Sequence, residues 1–168
     1  MKKLLLHILL LAVVLMTGGC RRAVEKSARK VRFEGIERVE RQGLTGAEIV
    51  ARINNGSAHR LTLASAEFDV YYDDSRVATV VLVDPVEIEP RTVASVTTNW
   101  RLKISDPLTM LVLYARVKAG QFDQIAVSCR VEGRGGPAPV IFFREKMPLS
   151  EFLNTFGFSI QDVQNYLK

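Results

Sequence analysis

The chain is poor in the residues that metal and nucleophile chemistry most often needs: two histidines, His7 and His59, and two cysteines, Cys20 and Cys129, in 168 residues. His/Cys metal clusters and histidine-dependent triads are therefore out of reach at the outset. Long apolar runs are also scarce. The longest, Leu4 to Met16, is 13 residues with His7 inside it, shorter than the roughly 17 to 25 that a spanning helix needs. No internal repeat or low-complexity tract is present. What remains is 48% hydrophobic and 24% charged, with a formal net charge of +5, the composition of one folded domain.

Met1-Lys2-Lys3, the apolar run and Thr17-Gly18-Gly19 have the three-part form of a secretory signal. The alternative is a retained transmembrane anchor. Cys20 after Gly18-Gly19 resembles the lipobox of bacterial lipoproteins, with Thr17 where that pattern has a Leu-like residue and Leu15 two further back. The resemblance implies cleavage before Cys20, diacylglycerol on its thiol, and acylation of the new amino terminus by a fatty acid such as palmitate. Such a product would have residues 1–19 removed as a signal peptide. Residues 20–32 then form a tether in which Arg21, Arg22, Lys26, Arg29, Lys30 and Arg32 face only Glu25. Next to an acyl anchor, such a segment is drawn to anionic head groups by about 1 kcal/mol per charge; the plainer reading is a solvated linker. Nucleic acid is not expected as a partner, because no aromatic residue is interleaved with these charges. With Arg21 rather than Asp after the Cys, the lipoprotein resemblance further implies delivery to the outer membrane, with the domain facing the periplasm.

From Val31 onward the apolar period is two. Ala47, Ile49, Ala51 and Ile53 alternate with polar neighbours, as do Ala66, Phe68, Val70 and Tyr72. The longest alternation, Ala94, Val96, Thr98, Trp100, Leu102 and Ile104, puts the single Trp on an inner face. Ile125, Val127, Cys129 and Val131 repeat it, and Val140 to Phe143 give a last apolar run. Turn chemistry at Asn54-Asn55-Gly56-Ser57, Asp73-Asp74-Ser75, Glu89-Pro90-Arg91 and Gly133 to Pro137 separates these runs. Half-buried antiparallel strands need a second layer. The predicted fold is mainly β, an immunoglobulin/fibronectin-III-like antiparallel β-sandwich of about seven strands over residues 33–149.

One helix interrupts the strands, with Asp106 as cap, Pro107 at the first position and Gly120 as stop. Its side bearing Leu108, Leu111, Val112 and Ala115 is expected to lie across an open sheet end. Residues 150–168 read as a short helical tail: a stretch from Pro148-Leu149-Ser150 through Phe156 stops at Gly157, and Ser159 with Asp162 forms a capping-box start. Phe152, Leu153, Phe156, Phe158 and Ile160 either cover the sandwich or mark a contact surface.

Ala47-Glu48-Ile49-Val50-Ala51-Arg52-Ile53-Asn54-Asn55, then Leu61-Thr62-Leu63, then Glu67-Phe68-Asp69-Val70-Tyr71-Tyr72 resembles, in that order, the late embryogenesis abundant type-2 domain, also called the water-stress and hypersensitive-response (WHy) domain. Glu89-Pro90-Arg91-Thr92-Val93 takes the family's turn and rising strand, Asp106-Pro107-Leu108 to Lys118 its helix, and Phe122 to Arg130 with Val140 to Leu149 its closing strands. The likeness spans roughly residues 35 to 149. Asn54-Asn55-Gly56 stands where the family usually has Asn-Pro, which leaves other immunoglobulin-like modules open. The resemblance implies a fibronectin-like fold with one helix and no catalytic residues. It also implies a link to desiccation or cold stress protection in plants and to envelope roles in bacteria.

Other candidate chemistry has plain structural readings. His59 reads as a loop histidine, Asp73-Asp74 as a turn rather than a cation site, and Cys129 as a small core residue. Asn55-Gly56-Ser57 is a glycosylation sequon by letters only. No metal or cofactor beyond the covalent lipid on Cys20 is expected. The function expected is that of a non-enzymatic envelope lipoprotein, a membrane-tethered binding or structural module engaging an envelope protein or lipid. The alternative is a lipid-handling or membrane-protective protein.

Overall fold

The computed structural model describes residues 30–137, 139–155 and 159–161. Eight strands run β1 (Val31–Gln42), β2 (Gly46–Asn55), β3 (Leu61–Tyr72), β4 (Ser75–Leu82), β5 (Val86–Ile88), β6 (Thr92–Ile104), β7 (Ile125–Gly135) and β8 (Pro139–Pro148). Helix α1 (Pro107–Lys118) lies between β6 and β7, and α2 (Leu149–Thr155) follows β8 directly. All strand pairs are antiparallel, in the order β1-β2-β6-β4-β3-β7-β8, with β5 on β3. The fold is a mostly antiparallel, β-sandwich-like one.

β6 is the strand that turns the sheet over on itself. Its first ten residues, Thr92 to Arg101, pair with β2, and Trp100 to Ile104 pair with β4. Two layers result, joined at Trp100 and Arg101, and their alternating apolar faces meet inside. At one end Val86, Ile88 and Val96 are buried with Ile53, Leu61, Leu63, Leu82 and Ala94 around them. At the other, Val77, Leu113, Phe122 and Ile125 form a second cluster, closed by Met110, Val117, Leu149 and Ile160. Ala51, Ala66, Val127 and Cys129 are buried between, as their alternation predicts.

The turns carry their expected chemistry. Asp73 and Asp74 both have positive φ, 48° and 64°, the primed hairpin geometry that Asp tolerates. The glycine-rich stretch behaves differently: β7 runs through Gly133 to Gly135, and the break falls after it. A Cβ on Gly133 would strike the Thr62 carbonyl of β3, so this glycine permits close strand approach inside the sheet. β1, whose alternation is obscured by two register shifts near Gly35 and Glu37, forms an exposed edge.

Asn55 ends β2 fully buried. Its Nδ2 donates to His59 O (2.9 Å), Glu89 O (2.9 Å) and Ile88 O (3.3 Å), while its Oδ1 accepts from Ser57 N (3.1 Å) and Oγ (2.7 Å). The side chain thereby ties the β2–β3 loop to the end of β5. The sequon's asparagine is therefore a core residue.

The cap of α1 is as expected, but its rotation is not. The Asp106 carboxylate accepts from the N–H groups of Leu108 and Thr109 (both 3.1 Å) and the Thr109 hydroxyl (2.7 Å). Yet Leu108, Leu111 and Val112 are exposed, at 77%, 66% and 47%, and Leu113 is the buried residue, at 5%. The expectation that Leu108, Leu111, Val112 and Ala115 face the sheet is thus overturned. The Ser105 and Asp106 N–H groups both donate to Val77 O (2.9 and 3.2 Å), which pins the start of the helix to β4 and turns Met110, Leu113 and Val117 inward. The helix is apolar on both sides, so its period alone does not choose a face.

The bonds from Thr109, its hydroxyl first, hold the Asp106 carboxyl below its ordinary value. A lowered carboxyl supports the helix above the ordinary carboxylate pKa and ceases to do so as pH falls through the lowered value. Amide protection factors over residues 107–118, referred to the intrinsic exchange rate at each pH, should therefore fall below about pH 4. In Asp106→Asn, which still accepts from the N–H groups, that acid step should be absent; an equal fall in both chains would refute it.

Candidate functional site

Between the two clusters the described residues leave a cleft open to solvent. A cleft of about 580 Å³ is bordered by Ala47 and Ile49 of β2, Phe68 of β3, Val80 of β4, Trp100 and Leu102 of β6, and Phe152 of α2. Arg41, Leu44 and Thr45, at the β1–β2 turn, form its rim with Gly46. It lies where β6 leaves β2 to join β4, and among the described residues α2 brings Phe152 to it.

Three aromatic rings organise it. Phe68 stacks on Trp100 at 5.7 Å between centroids and 29° between planes, and meets Phe152 edge-on at 5.5 Å and 74°. The indole Nε1 donates to Thr98 Oγ1 (2.8 Å), whose hydroxyl donates to Ile49 O (3.0 Å). The polar edge of the Trp is thus satisfied by β6 and β2, and its apolar area is left to the cleft. Leu44 stands almost wholly in solvent at the mouth, and among the described residues Arg41 is the one charged residue lining it. Chemically the cleft can take an elongated apolar group, with a guanidinium at one rim for a polar or anionic end.

The sequence-derived residues lie elsewhere. Cys20, Arg21, Arg22, Lys26 and Arg29 fall outside the described residues. Lys30 and Arg32 are exposed at the start of β1, where Lys30 O accepts from Gly56 N (3.0 Å). Phe156, Phe158 and Asp162 are likewise outside the described residues. Leu153 is buried and Ile160 packs on the Val77 cluster, so this part of the tail covers the sandwich. The alternation placed Phe68 and Trp100 inside, but the contact of Phe68 with Phe152 of α2 has no linear signal.

Other groups stay apart. His59 is exposed in its loop. Asp74 pairs with Lys146 (3.0 Å), which raises the Lys146 pKa and sets its ammonium 5.2 Å over the Tyr71 ring. Tyr71 and Tyr72 face opposite ways; the Tyr72 hydroxyl donates to Gln124 Oε1 (2.9 Å). Cys129 is a buried free thiol whose pKa burial pushes up. Among the described residues no three of His, Cys, Asp and Glu converge as metal ligands. No helix among them is long and apolar enough to cross a membrane.

No protein-family profile and no curated protein matches the chain. Among solved structures it is similar to a protein from Archaeoglobus fulgidus (TM-score 0.42, 15% identity, covering 68% of this chain and 94% of that one). It is also similar to the apo PCuAC domain from PmoF1 (TM-score 0.34, 13% identity, 70% of this chain and 93% of that one). A third is the GAE domain of yeast GGA1 (TM-score 0.32, 11% identity, 70% and 89%). These likenesses carry no activity, ligand or partner over to this chain.

Proposed function

We propose that the chain is a membrane-tethered, non-enzymatic binding module of the bacterial envelope whose cleft holds an acyl chain or a comparable extended hydrocarbon. The observation that carries this reading is the solvent-open cleft whose wall is built from the contacting rings of Phe68, Trp100 and Phe152. Each methylene taken from water into such a site contributes about 0.8 kcal/mol before the costs of association. The lipobox-like Cys20 and the basic tether support placement at a membrane facing the periplasm, and the type-2 resemblance supports a role in membrane handling under stress.

Trp100 provides the assay. Dibromostearate added to the purified full chain should quench its emission saturably, because bromine in the cleft lies against the indole. Ala47→Phe, which fills the cleft, should weaken that binding at least tenfold while leaving the urea midpoint within experimental error. Emission that dibromostearate leaves unchanged, or quenching that Ala47→Phe does not reduce, would refute the site. The tether is tested separately: intact mass of the membrane-extracted protein should show a triacylated chain starting at Cys20, and a Cys20→Ala chain should lack the lipid.

A further inference from the structure

Helix α1 carries a second apolar side that the fold does not use. Leu108, Leu111, Val112 and Ala115 recur at i, i+3, i+4 and i+7 and all face solvent, with Tyr114 and Ile104 exposed beside them. The charged residues of the helix itself are basic, Arg116 and Lys118 in its last turn, while Asp106 is engaged in capping it and Asp123, after the helix, lines a cleft with Arg116. Lys118 Nζ lies 5.2 Å over the Tyr114 ring, so the two form one amphipathic unit at the border of the stripe.

We propose that this face of α1 docks on an anionic phospholipid bilayer. Leucine and valine enter the interfacial layer, Tyr114 sits at head-group level, and the flanking Lys and Arg meet lipid phosphates. Charge complementarity favours this occupant over a protein. A stripe of four side chains on a three-turn helix falls well short of the roughly 1,200 Å² of a specific protein interface, whereas shallow insertion needs no such area. The chain enters β1 at the end of the sandwich away from α1, since Val31 pairs with Asn55 and Asn55 with Thr92. β6 spans about 40 Å between those ends, so a domain held at both lies with β6 along the membrane plane.

The test places an environment-sensitive NBD fluorophore on Val112→Cys in the full chain, with the unsubstituted chain labelled in parallel as the blank for Cys20 and Cys129. Vesicles of phosphatidylglycerol and phosphatidylcholine in equal parts should raise NBD emission at least twofold. Phosphatidylcholine alone should raise it much less. Arg116→Glu with Lys118→Glu should abolish the rise, with a melting temperature lowered by only a few degrees as acids replace bases at the helix C-terminus. Ala47→Phe should leave the rise intact, which separates this surface from the cleft ligand. Emission that stays constant with anionic vesicles would overturn the proposal. Iodide quenching without vesicles then shows why: a quenchable label marks a face that stays in water or awaits a protein, and a shielded one marks a face covered by the chain's own tail or a second copy.

Discussion

Replacing Asn55 with alanine is expected to cost the fold roughly 3 kcal/mol, which for a domain of this size lowers the melting temperature by about 10 °C. The amide is fully buried and satisfies the carbonyls of His59, Ile88 and Glu89 while accepting from Ser57. Truncation removes the amide donor from the Ile88 and Glu89 carbonyls, while His59 O keeps the Ser57 hydroxyl (3.0 Å), and the desolvation cost of the lost bonds falls on the native state. Asn55→Asp should be at least as damaging, because a carboxylate would face three carbonyl oxygens and donate to none. Ser57→Ala removes a single hydroxyl from the same junction and should cost about 1 kcal/mol. Urea titration of the three variants would check the ranking; a loss below 1 kcal/mol for Asn55→Ala would mean the junction is held by the backbone alone.

The second large effect separates the two sides of α1. Leu113→Ala should destabilise the protein by about 2 to 5 kcal/mol, since Leu113 packs with Val77, Phe122 and Ile125 and its loss leaves a cavity. Leu111→Ala, on the exposed side, should stay within about 0.5 kcal/mol of the parent. Reversal of the two values would restore the orientation expected from periodicity. The pair also bears on the docking surface, because a face that stabilises nothing in the isolated domain can be altered there without unfolding it.

The two asparagine-rich and aspartate-rich turns show how legibility varied with the kind of signal. Asp73-Asp74 acts through its own backbone conformation, so letters alone marked the β3–β4 hairpin. Asn54-Asn55-Gly56 also read as a turn, but the three carbonyls that Asn55 reaches include one at the end of β5 and one just after it, more than thirty residues away. A contact across that distance leaves no local pattern. β1 was hard to read for a different reason: two register shifts break its alternation, and as an edge strand it leaves Phe33 and Val39 exposed.

The sequence by itself determined the inner faces of β2, β3, β7 and most of β6, the position of Trp100 inside, the capped start of α1 at Asp106 and Pro107, and the antiparallel β class. These follow from period-two burial and from residues whose conformational preferences are local. Ile104, expected inside on alternation, is exposed at the end of β6. The tertiary structure alone decided which side of α1 is buried and where the cleft opens. Leu111 and Leu113 are equally apolar, and only the bonds from Ser105 and Asp106 to Val77 O choose between them. The cleft likewise lies where β6 changes partners at Trp100 and α2 brings Phe152 to it, a consequence of long-range pairing rather than of any residue's own preference.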